Sequence, residues 1–121
     1  MTPSDIAQAY LTLLIAWEVD TAFTQYIAPD AIHHNQYCAW DLASLKQWMI
    51  DNHENFPDKQ YTLHQVVADG DIVVLHGLMQ LNADLRVIVV HMFKILGGKI
   101  VEMRDVGQVL DPASPNQHGV L

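Results

Sequence analysis

Histidine at 91 and aspartate at 105 are the two residues best placed for proton chemistry, and both lie in one stretch, Leu85 to Gln108. Two β-branched runs there flank Gly97-Gly98, which is a hairpin signal. The turn length sets which residues share a face. A two-residue turn at Gly97-Gly98 sets Ile95 opposite Ile100 and His91 opposite Arg104, with Asp105 on the other side of the sheet. A three-residue turn, Leu96-Gly97-Gly98, sets Phe93 opposite Val101, His91 opposite Met103 and Val89 opposite Asp105. In that register one face carries Val87, Val89, His91, Phe93, Ile95, Val101, Met103 and Asp105. The other collects Lys94, Glu102 and Arg104 with Ile88, Val90 and Met92. The three-residue turn separates charge from the apolar set and is the preferred reading. It leaves His91 and Asp105 as diagonal neighbours, within reach of each other. A histidine and a carboxylate in an apolar wall are candidates for acid/base work, and the plainer alternative is a buried polar pair that satisfies itself.

The elements that must hold this hairpin follow from the rest of the chain. Pro3-Ser4-Asp5 opens a first helix, with Ser4-Asp5 as the expected cap, and Ile6, Tyr10, Leu13, Leu14 and Trp17 recur at helical spacing. Asp20 is the expected cap of a short second helix holding Ala22, Phe23, Tyr26 and Ile27, which Pro29-Asp30 ends. Ala31 to Tyr37 is too polar for a central strand and reads as a short strand or extended rim segment. Asp41 caps a third helix, Leu42 to about Asn55, with Pro57 just beyond it. Strands follow from about Lys59 to Ala68 and from Asp71 to about Leu81, joined at Asp69-Gly70. Residues 111–121 read as a loop-like tail. The order, helices and then a four-stranded antiparallel meander, predicts an α+β chain in one domain spanning 1–121.

The strands Asp71–Leu81 and Leu85–Leu96 are apolar on both faces and need cover on both. Helices cover one face, so a homodimer through the other is expected.

Composition narrows the partners. Fourteen acidic residues against six Lys and Arg give a net charge of −8, which argues against nucleic acid and against an anionic membrane surface. Half the residues are apolar, so disorder is not expected. Cys38 is the only cysteine, which leaves no intramolecular disulfide and no thiolate zinc cluster; it reads as an inert thiol. No H-x-x-x-H helix is present, so no metal site is expected. Lys46, Lys59, Lys94 and Lys99 all fall on expected surfaces or turns, which disfavours a Schiff-base lysine. The N-terminus lacks a basic region before its apolar stretch, and a cytoplasmic location is the expectation.

Four pieces of the chain resemble the SnoaL-like polyketide cyclase family of the NTF2-like superfamily. They are Tyr26-Ile27 with His34-Asn35, Val67-Ala68-Asp69-Gly70-Asp71-Ile72-Val73 with His76, Phe93 with Gly98-Lys99-Ile100-Val101-Glu102 and Asp105-Val106 then Gln108, and Pro115-Asn116 with Gly119. The resemblance implies a cone-shaped α+β barrel with a deep ligand cavity and intramolecular aldol ring closure without metal or organic cofactor. It places the acid/base role on Asp105 and points His34 and Asn35 toward a substrate carbonyl. His33 and His34 alternate along a strand and cannot both enter the cavity; the resemblance selects His34. Around Asp105 the chain departs from the family. Its acid before "I-F-R" is His91 here, and its "H-W" is Met103-Arg104.

The expected site is therefore Asp105 and His91 for catalysis, with His34, Asn35, His76, Phe93 and Met103 against a small apolar or carbonyl-containing ligand. His76 shares a strand face with Ile72, Val74 and Leu78, and the sequence leaves open whether that face is the cavity. A ligand-binding protein without turnover and a ketosteroid-isomerase-like enzyme are the alternatives on the same scaffold.

Overall fold

Thr2, not Ser4, starts the first helix. In the computed structural model, which describes residues 1–121, the Thr2 side chain accepts from the Asp5 backbone N–H and Asp5 Oδ2 accepts from Thr2 N, a reciprocal capping box. Pro3 at the first helical position has no N–H to lose. Helix α1 then runs Pro3–Ile15 and buries Ile6, Ala7, Tyr10, Leu11 and Leu14. Helix α2 spans Val19–Tyr26 and begins one residue before Asp20, which sits in its first turn instead of capping it. Between them Trp17 takes a left-handed conformation, φ 68°. Its N–H bonds Leu14 O while Glu18 N–H bonds Leu13 O, the paired closure that ends many helices on a glycine.

Strand β1, Ile27–His33, begins where a helical end was expected. Helix α3, Leu42–Asn55, is capped by Asp41, whose carboxylate accepts from Ser44 N. Strands β2 (Gln60–Asp69), β3 (Ile72–Gln80), β4 (Arg86–Leu96) and β5 (Lys99–Val109) form the antiparallel meander. The sheet order is β1-β5-β4-β3-β2, with β1 parallel to β5 at the edge. Residues 110–121 form no helix or strand. No helix is long and apolar enough to cross a membrane.

Neither simple hairpin register survives. The turn is the two-residue one, with Ile95 opposite Ile100 and both turn glycines at positive φ. A bulge between Lys94 and Ile95 then leaves Val101 unpaired and advances the pairing by one. Beyond it Lys94 faces Glu102, Phe93 faces Met103 and His91 faces Asp105. The bulge returns Met103 and Asp105 to the face that carries Val87, Val89, His91 and Phe93. The three-residue turn was thus wrong; the face it selected was right for Met103 and Asp105, while Ile100, and not Val101, is fully buried opposite Ile95.

The helices pack on that face. One cluster joins Ile6, Tyr10, Leu14 and Leu45 to Val73, Leu75, Phe93, Ile95, Ile100 and Met103. Each large apolar side chain buried there contributes roughly 1.5–3 kcal/mol. At one place the sheet backbone itself must come close. A Cβ on Gly77 would lie 2.5 Å from Tyr61 Oη and 2.6 Å from Thr62 O, so only glycine lets the Tyr61 ring lie across β3.

Candidate functional site

Helices and sheet do not fill the space between them. A cavity of about 560 Å³ remains, within the range of small-molecule sites. Leu11, Leu14, Leu45, Trp48 and Met49 line it from the helices; Val87, Val89, Phe93 and Met103 line it from the sheet. His91 and Asp105 open into it from neighbouring strands. Their relation is closer than a diagonal: they are directly opposed across β4 and β5, where Cβ atoms sit roughly 4.5–5.5 Å apart.

Their surroundings push the two groups in opposite directions. Burial lifts the Asp105 carboxyl above its ordinary value, partly offset by its own backbone N–H. Burial lowers the His91 imidazole to about 4, so the ring is neutral near pH 7. His91 Nδ1 is buried without a hydrogen-bond partner. The ring is held by packing, parallel to Phe93 at 6.0 Å and edge-on to Tyr61 at 6.3 Å.

His33, and not His34, is the inward histidine of β1. The buried residues there alternate as Ala31, His33 and Asn35. His33 Nδ1 accepts from Asn35 N at 3.2 Å, which makes Nε2 the protonated nitrogen, and Nε2 donates to Ala39 O at 2.9 Å. Both ring nitrogens are thus engaged within the fold. His34 is half exposed at the rim, with Nε2 2.9 Å from Glu102 Oε2. The expectation that His34 alone enters the cavity is corrected: His33 is buried in its wall, and His34 lines the same cavity from the rim beside Glu102. Asn35 does line the cavity, and its Oδ1 accepts from Tyr37 N at 2.8 Å. Phe93 and Met103 are buried in the cavity wall as expected.

His76 is corrected as well. Val73 and Leu75 point into the core, so His76 falls on the outer face by strand alternation. There it meets His64 ring to ring at 5.2 Å, and it does not line the cavity. No group of three His, Cys, Asp or Glu side chains is placed to hold a metal ion. The Cys38 thiol is raised by burial, then by Asp105 and Asp41, which makes it a poor nucleophile.

Two features were missed. Tyr10, expected as core, also lines the cavity, and its hydroxyl is close enough to Asp105 to feel its charge. Burial and the Asp105 charge keep that hydroxyl protonated far above the ordinary range. Its nearest acceptors are only the sulfurs of Met49 and Met103, each at 3.9 Å. The helical phase of Tyr10 shows that it is inward; nothing in the sequence shows that its oxygen lacks a strong partner. Lys59 was placed at the surface, but with Asn52 and His53 it lines the same cavity.

Comparison with known proteins agrees with this geometry. Residues 7–103 match the family described as the SnoaL-like domain. A SnoaL-like polyketide cyclase from Agrobacterium tumefaciens superposes with a TM-score of 0.73 at 16% identity, covering 89% of this chain and 92% of that one. A cystatin-fold protein from Novosphingobium aromaticivorans gives 0.76 at 16% identity, covering 88% and 98%. A proposed ketosteroid isomerase from Kribbella flavida gives 0.72 at 18% identity, covering 98% and 87%. At these identities the structural likeness shows the shared α+β fold. No protein of curated function matches the chain in sequence.

Proposed function

This chain belongs to the SnoaL-like domain family, and from that premise we propose that it catalyses aldol-type ring closure or condensation of a small carbonyl compound, with Asp105 as the acid/base. The observation that carries the reading is Asp105 set directly against His91 in a largely apolar cavity of about 560 Å³. A carboxylate whose proton affinity is raised by burial is a better base than one in water. It takes a proton from the carbon next to a ketone, and the electron pair moves onto the ketone oxygen.

Two neutral donors face the space where that oxygen develops charge. The Tyr10 hydroxyl has no oxygen or nitrogen partner, and the neutral His91 ring has one N–H to give. Donors fixed in a water-poor site are worth more than the same groups in water. The enolate carbon then attacks a second carbonyl, a carbon–carbon bond forms, and Asp105 returns its proton to the new alkoxide. These steps use side chains alone, in keeping with the cofactor-free chemistry the family resemblance implies.

The test is hydrogen–deuterium exchange next to the carbonyl across a panel of cyclic and aryl ketones, comparing wild type with Asp105→Asn. Exchange that disappears in the variant while ketone binding persists supports the proposal. Binding without exchange in either protein supports the second reading, a passive ligand binder. One observation favours that alternative: no partner fixes which nitrogen of His91 carries the proton. An isomerase would share the first step and differ in product, moving a double bond instead of closing a ring.

A further inference from the structure

We propose that the ligand carries a carboxylate, and that Lys59 binds it at the end of the cavity away from Asp105. The inference rests on the cavity being a ligand site and adds to that reading the class of ligand, an apolar carbonyl compound with an acidic end.

The placement comes from the sheet. Lys59 precedes Gln60, whose row across the ladder is Gln60, Gln80 and Arg86. His91 and Asp105 form another row, five residues along β4 from Arg86. At the rise of a strand those rows are about 17 Å apart. Both ends open on one cavity, so an extended ligand meets a carboxyl at one end and an ammonium at the other.

Position and pairing together single out Lys59. With fourteen acidic residues to six Lys and Arg, carboxylates are plentiful, yet only Lys46 and Arg104 have one. Of the four cations without a carboxylate, Lys59 alone lines the cavity. Its Nζ is steadied by Asn52 Oδ1 at 2.6 Å, which leaves two N–H donors free. Burial lowers its pKa to about 8, so the group is still mostly cationic near neutrality and only partly desolvated.

His53 supplies a second, independent observation. It is 2% exposed, it lines the same end of the cavity, and its Nδ1 has no partner in the protein. Buried polar atoms are seldom left unpaired, and one that faces a cavity is a handle for a polar ligand group. Trp17 stacks on the ring at 4.9 Å and 31° and shields it. It does so from a left-handed backbone conformation that a tryptophan adopts only at a cost. This end of the cavity thus carries an ammonium with donors to spare and one imidazole nitrogen without a partner.

Two fluorescent probes of nearly the same shape test the proposal: anionic anilinonaphthalene sulfonate and neutral phenylnaphthylamine. Wild type should bind the anion more tightly. Lys59→Met should weaken the anion about tenfold, the loss of one charge-assisted hydrogen bond, and leave the neutral probe unchanged. Lys59→Arg should restore anion binding to within about threefold of wild type. Retained binding of the neutral probe shows that the variant is folded. The proposal is overturned if Lys59→Met leaves the anion unaffected, if both probes weaken equally, or if wild type binds neither. Asp105→Asn should keep the Lys59-dependent preference for the anion. The anionic end and the acid/base role can therefore fail separately.

Discussion

Replacing His91 with phenylalanine asks whether this histidine is a neutral group held by packing or a cation paired with Asp105. Burial lowers the folded pKa from 6.5 to about 4. A lowered histidine pKa means the unfolded chain takes up its proton first as pH falls. The stability contribution is then fully present above about pH 6.5 and is lost on the way down to about pH 4. Between pH 7.5 and pH 4.5 those two values give a loss of about 2.5 kcal/mol. One edge of the ring opens on the cavity, where a charge is partly solvated, so this is an upper figure. Asp105 works in the other direction. Its raised pKa costs stability when ionised and is relieved by acid. The difference between wild type and His91→Phe cancels Asp105 and the other shared groups. Urea unfolding of both proteins across this pH range provides that difference. Wild type should fall relative to the variant by about 2 kcal/mol, and near neutrality the variant should be at least as stable, because it removes an unpartnered buried nitrogen. A flat difference would mean that burial does not hold His91 neutral, and wild type gaining on the variant in acid would mean that the folded protein holds the proton, paired with Asp105; either result would refute a histidine kept neutral by its packing.

Three further outcomes follow from the geometry. Gly77→Ala drives a Cβ to 2.5 Å from Tyr61 Oη and 2.6 Å from a backbone oxygen; it should cost about 2 kcal/mol in urea unfolding, and an unchanged midpoint would show that Tyr61 does not lie across β3. Tyr10→Phe removes a hydroxyl whose only contacts are sulfurs, so stability should change by less than about 1 kcal/mol while ketone exchange slows about 100-fold; equal exchange in the two proteins would remove Tyr10 from the donor set. We propose that two copies pair through the outer sheet face, where Val67 is 52% and Val106 61% exposed beside Val74, Val90 and Met92; light scattering should give a dimer that Met92→Lys dissociates, and a wild-type monomer at low micromolar concentration would end that proposal.

The sequence carried the α+β order, the strand faces and the Asp41 cap because each rests on local chemistry, periodicity or a capping side chain. It failed where a single residue's phase decided the outcome. The bulge at Val101 has no residue signature of its own; it was missed although the faces it restores were right. On the second half of β1 the strongly apolar Ile32 is exposed, and small Ala31 marks the buried phase. Only that buried phase picks out His33, whereas the family resemblance points to His34. Parallel pairing of β1 with β5 brings residues distant in sequence together and leaves no local trace. Lys59 escaped notice because a lysine beside a proline turn ordinarily points to solvent; only the packed fold shows that it borders the cavity.

Burial gives Asp105 an unusual hold on its proton. Carbon-13 NMR titration of its carboxyl group, assigned by loss of the signal in Asp105→Asn, measures that hold in the free protein. A midpoint clearly above the ordinary 3.8 is the predicted result. A midpoint at or below that value would show a well-solvated or ion-paired carboxylate, and Asp105 would have no claim to be the base.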